Sequence, residues 1–205
     1  MKVAIFAGKG GSFAKYIKES QILNSKIIII ASYLETINKS NVDLFLKKEK
    51  NKELEYWTKF EEIVKNNDLI FSQFDYIIPQ EICKKYYGKI INHHPALLPA
   101  HKGKNAILNT FKSGSLYGGS TVHFVTSEVD NGPIIFQSIY AISPKDTVET
   151  LSKKNYYASR DGLVQVVKWF EEKRVFLDKK NGKVLVLNAN YNNGFNIPNL
   201  EILNE

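Results

Sequence analysis

The chain begins with an apolar run and a glycine-rich turn: Lys2-Val3-Ala4-Ile5-Phe6-Ala7, then Gly8-Lys9-Gly10-Gly11-Ser12. The run predicts a strand that is buried on both faces, and the glycines predict a tight turn after it. Apolar residues at helical spacing over residues 13–23 then predict a helix with one buried face. A strand, a turn and a helix in this order are typical of a parallel α/β sheet.

Strands and helices keep alternating through the first half of the chain. Strands are predicted at 27–33, 42–46, 68–72 and 89–92, helices at 53–65 and 79–87, and a connector at 34–41. Because parallel strands need crossover connections, this order predicts an α/β fold with an open, mostly parallel, twisted sheet and helices on both faces.

The second half of the chain changes to an antiparallel pattern. After a predicted helix at 106–112, strands at 120–125 and 134–142 flank a tight turn at 131–133 and predict an antiparallel hairpin. Residues 147–173 predict one long helix, in which Gly162 would allow a break, because glycine is a weak helix former. Residues 184–187 predict a small last strand. We expect a catalytic domain over residues 1–187 and a short C-terminal tail over 188–205.

Composition narrows the class of protein. The 205 residues, 43% of them hydrophobic, have the composition of a globular domain. The single cysteine, Cys83, excludes an intramolecular disulfide and a cysteine-rich zinc site. The longest apolar run, at 27–31, is too short to cross a bilayer, and the N-terminal run does not resemble a signal peptide. We therefore expect a cytoplasmic protein with no membrane partner.

The net charge of +7 allows an anionic partner, either a nucleic acid or a small molecule. The lysines are scattered among acidic residues, and Arg160 and Arg174 are the only arginines in the sequence. A nucleic-acid surface would need clustered basic residues interleaved with exposed aromatic residues. We therefore expect solvated lysine-rich faces and no nucleic-acid partner.

The glycine turn is the first candidate site. Backbone N–H groups at the start of a helix favour an anion, and Lys9 adds a mobile cation. The turn is not a Walker loop, because no Gly-Lys-Ser/Thr ends it, and Phe13 breaks the Rossmann glycine pattern. It therefore predicts either a phosphate-binding loop or a structural turn, and it disfavours a dinucleotide cofactor.

The second candidate site reads Asn92-His93-His94-Pro95-Ala96-Leu97-Leu98-Pro99. Its polar groups stand at the carboxyl end of a strand, where open α/β sheets bind ligands. Adjacent histidines point to opposite sides of a strand, and no Glu or Cys lies nearby at a metal-ligand spacing, so a metal is disfavoured. Further along the chain, Asp130 stands in a Gly/Pro turn, which is an ordinary place for an aspartate.

Taken together, these residues resemble the folate-dependent formyltransferase family. Three segments carry the likeness: Asn-x-His-Pro-x-Leu-Leu-Pro at 92–99, Thr-Val-His-Phe-Val at 121–125 and Glu-x-Asp-x-Gly-Pro-Ile-Ile at 128–135. The likeness is strong over 89–137 and weaker over the first strand, the glycine turn and 146–170. The segment at 121–125 favours the purine-pathway branch over the methionyl-tRNA formyltransferases, which are also similar.

The resemblance implies transfer of the formyl group of 10-formyltetrahydrofolate to a primary amine, with no metal. Asn92, His94 and Asp130 match the family's catalytic residues: Asn92 and protonated His94 would bond the developing oxyanion, and Asp130 would orient His94. The folate walls would be Tyr76, Ile77, Ile78, Thr126, Ser127, Glu128 and Val129. The substrate-binding residues would be Gly10, Gly11, Ser12, Phe13 and His93.

The departures from the family pattern concern the amine. Phe13 stands where the phosphate loop usually has asparagine, and Ser159 stands where a glutamate holds the amine substrate. Residues 25–68 are also shorter than in the family. The first expectation is glycinamide ribonucleotide, a phosphorylated small-molecule amine. The alternative is an amino sugar nucleotide, although enzymes of that type usually carry an extra C-terminal domain.

Two non-enzyme alternatives remain, a catalytically silent binding protein on the same fold and an RNA-binding protein. Loss of Asn92, His94 or Asp130 would indicate the silent protein, yet all three are present. We expect a monomer or a homodimer.

Overall fold

The computed structural model describes residues 1–37, 41–192 and 194–202, which form ten strands and six helices. They are, in order, β1 (Lys2–Ala7), α1 (Ser12–Lys18), β2 (Lys26–Ala31), α2 (Leu34–Ile37), β3 (Leu44–Phe45), α3 (Glu53–Asn66), β4 (Leu69–Ser72), α4 (Gln80–Lys85), β5 (Ile90–His94), α5 (Ala106–Lys112), β6 (Tyr117–Phe124), β7 (Ile134–Ala141), α6 (Val148–Glu171), β8 (Val175–Asp178), β9 (Lys183–Val186) and β10 (Asn196–Ile197).

Eight of the strands form one sheet in the order β10-β7-β6-β5-β4-β1-β2-β3. Strands β1 to β5 pair in parallel, whereas β6, β7 and β10 pair antiparallel. A separate antiparallel hairpin is formed by β8 and β9. The predicted mostly parallel sheet and the β6–β7 hairpin are therefore confirmed.

Helices cover both faces of the sheet because its central strands are apolar on both sides. Val3 and Ile5 of β1 belong to a core cluster with residues of α1 and α6. Ala4 and Phe6 belong to a second cluster with residues of α3 and α4. This alternation explains why the sequence of β1 is a continuous apolar run.

The long helix α6 passes through Gly162 without a break, so the prediction of one long helix is confirmed. Gly162 is buried, and a Cβ atom there would lie 2.1 Å from Cε1 of Phe136 on β7. Glycine thus lets the helix approach the sheet closely. Thr147 and Thr150 cap the N-terminus of the helix in a reciprocal capping box.

Other segments differ from the expectations in length or partner. Helix α1 ends at Lys18, although Ile22 and Leu23 still pack against the core. Helix α2 occupies the start of the expected connector, whose residues 38–40 lie outside the described part of the chain. The predicted last strand is β9, and its partner β8 was missed because it is short and half-exposed.

The segment expected as a C-terminal tail contributes a strand to the main sheet. Strand β10 pairs with β7 through Asn196↔Ser138 and Ile197↔Gln137. Residues 193 and 203–205 of this segment lie outside the described residues. The domain boundary at residue 187 stays a prediction.

Candidate active site

A cavity of about 780 Å³ lies where the parallel strands β4 and β5 end. Ser72 ends β4, and Asn92, His93 and His94 end β5; all four residues line the cavity. The loops after β4, β5 and β6 and parts of α1 and α6 complete its walls. Ligand pockets are commonly of this size, roughly 300–1,000 Å³, and occupy this edge of open α/β sheets.

Strand register brings the polar residues of the cavity together. Parallel pairing sets Ser72 beside Asn92, and antiparallel pairing sets Asn92 beside His123 of β6. Asp130, from the turn after β6, lines the same cavity as Asn92 and His94. Within the described residues, the Asn92 amide has no hydrogen-bond partner, so both of its polar atoms are available to a ligand.

His94 is held at both ring nitrogens. Its Nε2 lies 2.8 Å from the backbone oxygen of His101, and its Nδ1 lies 3.1 Å from Oδ2 of Asp130. A carbonyl oxygen can only accept, so Nε2 carries a hydrogen. The contact between Nδ1 and the carboxylate is attractive only when a second hydrogen lies between the two atoms. His94 and Asp130 therefore form one unit that shares a proton.

Two left-handed residues position the partners of His94. His101 has φ 55° and Asp130 has φ 49°, a region in which Asp, Asn and His are enriched among residues other than glycine. The backbone N–H of Gly103 donates to Oδ2 of Asp130 at 2.8 Å, which ties the 95–105 loop to the aspartate. The backbone thus presents the carbonyl and the carboxylate to opposite sides of one imidazole ring.

Burial and charge act in opposite directions on this pair. Burial lowers the pKa of His94 below its ordinary value, although the Asp130 carboxylate and the His101 carbonyl act to raise it. Burial acts to raise the pKa of Asp130, but the neighbouring His123 ring, the bond from Gly103 and the charge of His94 outweigh burial and lower that pKa. The carboxylate therefore stays ionised, and His94 releases its proton more readily than a free histidine.

His123 is a site residue that the sequence argument missed. Its Nδ1 donates to the backbone oxygen of Phe124 at 2.9 Å, so in neutral His123 the Nε2 atom is an acceptor. That Nε2 is buried without a partner among the described residues and lies 3.6 Å from Oδ1 of Asp130. Two facing acceptors suit a donor between them, such as a water molecule or an amine. The antiparallel pairing of His123 with Asn92 was the signal that could have revealed it.

The residues expected to form the folate walls come together along one side of the cavity. They lie on the loops after β4 and β6, and all seven line the cavity: Tyr76, Ile77, Ile78, Thr126, Ser127, Glu128 and Val129. Ile77 and Val129 are exposed large apolar side chains at this edge. An apolar wall of this kind suits a flat ring; the folate role of these residues stays a prediction.

Only some of the residues expected to bind the amine substrate line the cavity. Phe13 and His93 line the cavity, whereas Gly10, Gly11 and Ser12 are not among its lining residues. The turn has structural reasons for its glycines: Gly11 has φ 62°, and a Cβ atom at Gly8 would lie 2.5 Å from the backbone oxygen of Gln73. A phosphate role for this turn stays a prediction.

Phe13, His93 and Tyr156 form an aromatic wall at one end of the cavity. The Phe13 ring centroid lies 4.8 Å from that of His93 and 5.0 Å from that of Tyr156. Burial, helped by the nearby His94 and His123, lowers the pKa of His93 to about 3, so this histidine is neutral at physiological pH. Its Nε2 is buried and has no partner among the described residues.

Ser159 lies in the contact between helix α6 and strand β6. Its side chain is buried between α6 and β6, where the hydroxyl donates to Ser120 Oγ at 2.8 Å. It is not among the residues that line the cavity. The position matched to the family's amine-holding glutamate therefore serves helix–sheet packing in this chain.

Neither a metal-binding cluster nor a membrane-spanning helix is found among the described residues. Across 1–37, 41–192 and 194–202, no group of three or more His, Cys, Asp or Glu side chains is arranged to hold a metal ion. No helix within the same ranges is long and apolar enough to cross a membrane.

The carboxyl edge of this open α/β sheet carries an asparagine and a histidine–aspartate pair beside a cavity. This arrangement is typical of an enzyme active site. The model of the formyl transferase family matches residues 1–167, and the chain belongs to this family.

The named relatives include phosphoribosylglycinamide formyltransferases and formyltetrahydrofolate deformylases. Phosphoribosylglycinamide formyltransferase of Haemophilus influenzae is 33% identical over 109 residues, 53% of this chain and 51% of that protein. Formyltetrahydrofolate deformylase of Bacillus subtilis is 31% identical over 150 residues, 73% of this chain and 48% of that protein. The chain thus spans about half the length of these curated relatives.

Among solved structures, phosphoribosylglycinamide formyltransferase from Anaplasma phagocytophilum has a similar fold, with a TM-score of 0.81 and 26% identity. The match covers 91% of this chain and 94% of that one. The predicted family and fold class are therefore confirmed.

Proposed function

We propose that this protein transfers the formyl group of 10-formyltetrahydrofolate to a primary amine, with glycinamide ribonucleotide as the first candidate amine. The observation that carries the proposal is the meeting of Asn92, His94 and Asp130 in one cavity, with His94 Nδ1 3.1 Å from the carboxylate. The names of the Haemophilus influenzae and Anaplasma phagocytophilum proteins support the choice of amine.

The Asn92 and His94 side chains stabilise negative charge on the formyl oxygen. 10-Formyltetrahydrofolate supplies the formyl group, and attack by the amine nitrogen moves charge onto the formyl oxygen. The unpaired amide N–H of Asn92 donates to this oxygen. The Nε2 atom of His94 is held by the His101 carbonyl, and the hydrogen on its Nδ1 points to Asp130, so that hydrogen is shared between the carboxylate and the formyl oxygen. Donors aimed at a developing oxyanion contribute about 3–4 kcal/mol each to lowering the barrier.

Asp130 and His123 accept the proton that the attacking amine loses. The amine loses one proton when it becomes an amide, and the leaving folate nitrogen gains one, so no net proton is consumed. Asp130 Oδ1 and His123 Nε2 are facing acceptors, and a donor N–H or water placed between them can pass its proton to this pair. The proton shared by His94 and Asp130 is then available to the leaving nitrogen.

The folate would lie along the apolar loops after β4 and β6. Tyr76, Ile77 and Val129 offer apolar surface there, and the backbone groups of both loops can hydrogen-bond a flat heterocycle. The residues present therefore fit the co-substrate. The chain's own contribution is to bind and orient this ring, so that the formyl group reaches Asn92.

A panel of amines tests the proposal. The purified protein is mixed with 10-formyltetrahydrofolate and, in turn, glycinamide ribonucleotide, an amino sugar nucleotide and no amine. Tetrahydrofolate release is followed by absorbance, and the formylated amine by mass spectrometry. We expect tetrahydrofolate to be released only when an amine is present. We also expect the mass of that amine to rise by the mass added with one formyl group. Failure to formylate any amine would reject the proposal.

A second candidate function is hydrolysis of 10-formyltetrahydrofolate to formate and tetrahydrofolate. The observation that favours it is the unfilled acceptor pair of Asp130 and His123, which suits an attacking water as well as an amine. The Bacillus subtilis relative named as a deformylase matches 73% of the chain. Tetrahydrofolate and formate released at full rate without any amine would select this function.

A further inference from the structure

The end of the molecule opposite the cavity carries two lysine-rich segments. Residues 84–89 read Lys-Lys-Tyr-Tyr-Gly-Lys and residues 179–183 read Lys-Lys-Asn-Gly-Lys, so neither segment contains an acid. Lys89 comes directly before β5, whose other end carries the cavity, and the second segment includes the turn between β8 and β9. We call the six lysines of these segments the basic face: Lys84, Lys85, Lys89, Lys179, Lys180 and Lys183.

Direct contacts bring the two segments together, although they lie far apart in the sequence. A Cβ atom at Gly88 would lie 3.6 Å from Cε of Lys179. The side-chain nitrogen of Lys179 lies over the ring of Tyr87, 6.0 Å from its centroid. The fold therefore gathers lysines that are scattered along the sequence into one positive surface.

The charge of the basic face is only partly neutralised. Glu61 bonds Lys85 at 2.6 Å, and Asp178 is the cross-strand partner of Lys183. Within the described part of the chain, four lysines of the face form no ion pair: Lys84, Lys89, Lys179 and Lys180. A surface with this excess of positive charge attracts an anionic partner.

The outer face of the β8–β9 hairpin adds exposed apolar side chains beside the lysines. Phe176 and Leu185 are cross-strand partners, and 50% and 54% of their surfaces are exposed. Because side chains alternate along a strand, Lys183 lies on the same face as Leu185. The other face of the hairpin packs against the core through Val175, Leu177, Val184 and Val186. The hairpin therefore presents an apolar pair and a lysine together to solvent.

The residue types of this surface favour one class of anionic partner. All six cations are lysines, which are flexible point charges, whereas recognition of one defined carboxylate or phosphate favours arginine. Lysine is also depleted in protein–protein interfaces. Single-stranded nucleic acids need aromatic faces for base stacking, but Lys85 and Lys89 lie over the ring of Tyr86, 5.6 and 5.9 Å from its centroid. Exposed Phe176 and Leu185 beside lysines suit a lipid surface instead.

We propose that the basic face and the Phe176–Leu185 pair form a docking surface for an anionic lipid membrane. The lysines bind headgroup phosphates, and the two apolar side chains enter the boundary between the headgroups and the acyl chains. A surface contact of this kind needs no membrane-spanning segment. Because Lys89 and the cavity lie at opposite ends of β5, the cavity of a docked molecule stays open to solvent.

Co-sedimentation of the full chain with lipid vesicles tests the proposal. One set of vesicles contains phosphatidylcholine alone, and the other contains equal parts of phosphatidylcholine and phosphatidylglycerol. At about 0.1 M salt, we expect binding to the anionic vesicles only. Most of this binding should be lost at about 1 M salt, because the Debye length falls from about 10 Å to about 3 Å. Absence of binding to the anionic vesicles at the lower salt would overturn the proposal.

A triple variant and a control with the same net charge locate the surface. The variant carries three changes in the basic face: Lys84→Gln, Lys179→Gln and Lys180→Gln. The control carries three changes at exposed lysines elsewhere: Lys50→Gln, Lys112→Gln and Lys145→Gln. The variant should bind anionic vesicles about 10²-fold more weakly than the wild type, whereas the control should lose far less. Both should keep the wild-type melting temperature, and equal losses of binding would overturn the proposal.

Phe176→Trp tests the apolar contact separately. The two tryptophans of the chain, Trp57 and Trp169, are buried, so the introduced indole is the exposed one. On anionic vesicles, we expect its emission to shift to shorter wavelength and to be quenched by lipids that carry bromine on their acyl chains. An indole that stays unquenched on bound vesicles would overturn the proposal. Binding of poly(U) RNA without binding of vesicles would assign the basic face to a nucleic acid and overturn it as well.

Discussion

His93 and His94 are neighbours on β5, yet the two sides of this strand end are built in different ways. His94 is bonded at both nitrogens, by Asp130 and by the His101 carbonyl, and its partner aspartate is tied to Gly103. The buried Nε2 of His93 has no partner among the described residues, and the His93 ring contacts the aromatic ring of Phe13. We call the His94 side, which is held by hydrogen bonds, the preorganised side, and the His93 side, where this nitrogen is unpaired, the open side.

The largest expected effect comes from the preorganised side. Asp130→Asn should keep the fold, because asparagine also accepts φ 49° and its oxygen can still accept from Gly103. It should lower kcat about 10²–10⁴-fold, because the shared proton and the acceptor for the amine proton are lost. Steady-state kinetics with a melting curve measure both effects. A near-normal kcat in this variant would contradict the proposed role of Asp130, and with it the proposed difference between the His94 side and the His93 side.

Alanine at each histidine compares the two sides directly. His94→Ala should lower kcat by about 10²-fold or more, since it removes a donor to the oxyanion. His93→Ala should leave kcat largely intact and raise KM for the amine about tenfold, since it removes a recognition contact. Equal losses of kcat in both variants would show that both histidines act on the reacting atoms.

The lowered pKa of His93 should also affect how the stability of the protein depends on pH. Folding lowers the pKa of His93 from 6.5 to about 3, so between these values the unfolded chain binds a proton that the folded protein does not. The wild type should therefore lose about 1.4 kcal/mol of unfolding free energy per pH unit, relative to His93→Phe, as pH falls through this range. Urea unfolding of both proteins from pH 7 to pH 4 measures the difference; parallel curves would show that His93 protonates freely in the fold.

The smallest effect concerns the glycine turn next to the open side. A Cβ atom at Gly10 would meet only Ser12 Oγ, at 3.9 Å, so Gly10→Ala should fold normally. If the turn binds a phosphate of the amine through its backbone, the added methyl should raise KM for that amine by a few fold and leave KM for the folate unchanged. An unchanged KM for both substrates would assign the turn a purely structural role.

The preorganised side was predictable from the sequence, and much of the open side was not. Asn92, His94 and Asp130 lie in segments whose residue types and spacing carry the family resemblance. His123 gains its place beside the other site residues from the pairing of Asn92 with His123, which no local pattern reveals. Register between strands is set by the packing of whole faces, and the sequence of one strand does not display it.

The elements of the fold differ in the same way. Some follow from their own local sequence, and others depend on residues far away along the chain. The apolar run of β1 and the periodicity of α3 predict their elements directly. The glycine at position 162 of α6, in contrast, reflects a distant residue, because the Phe136 ring fills the space that a side chain there would need. Ser159 matched a substrate-holding position by spacing alone, and its hydrogen bond to Ser120 places it in the helix–sheet contact instead.

The left-handed backbone at Asp130 has a consequence for the history of this site. Besides glycine, asparagine is the residue that tolerates φ 49° best, and aspartate and asparagine codons differ by one nucleotide. One point mutation can therefore abolish the proton transfer and leave the scaffold intact. A receptor that keeps this cavity without turnover is therefore a single nucleotide change away from such an enzyme.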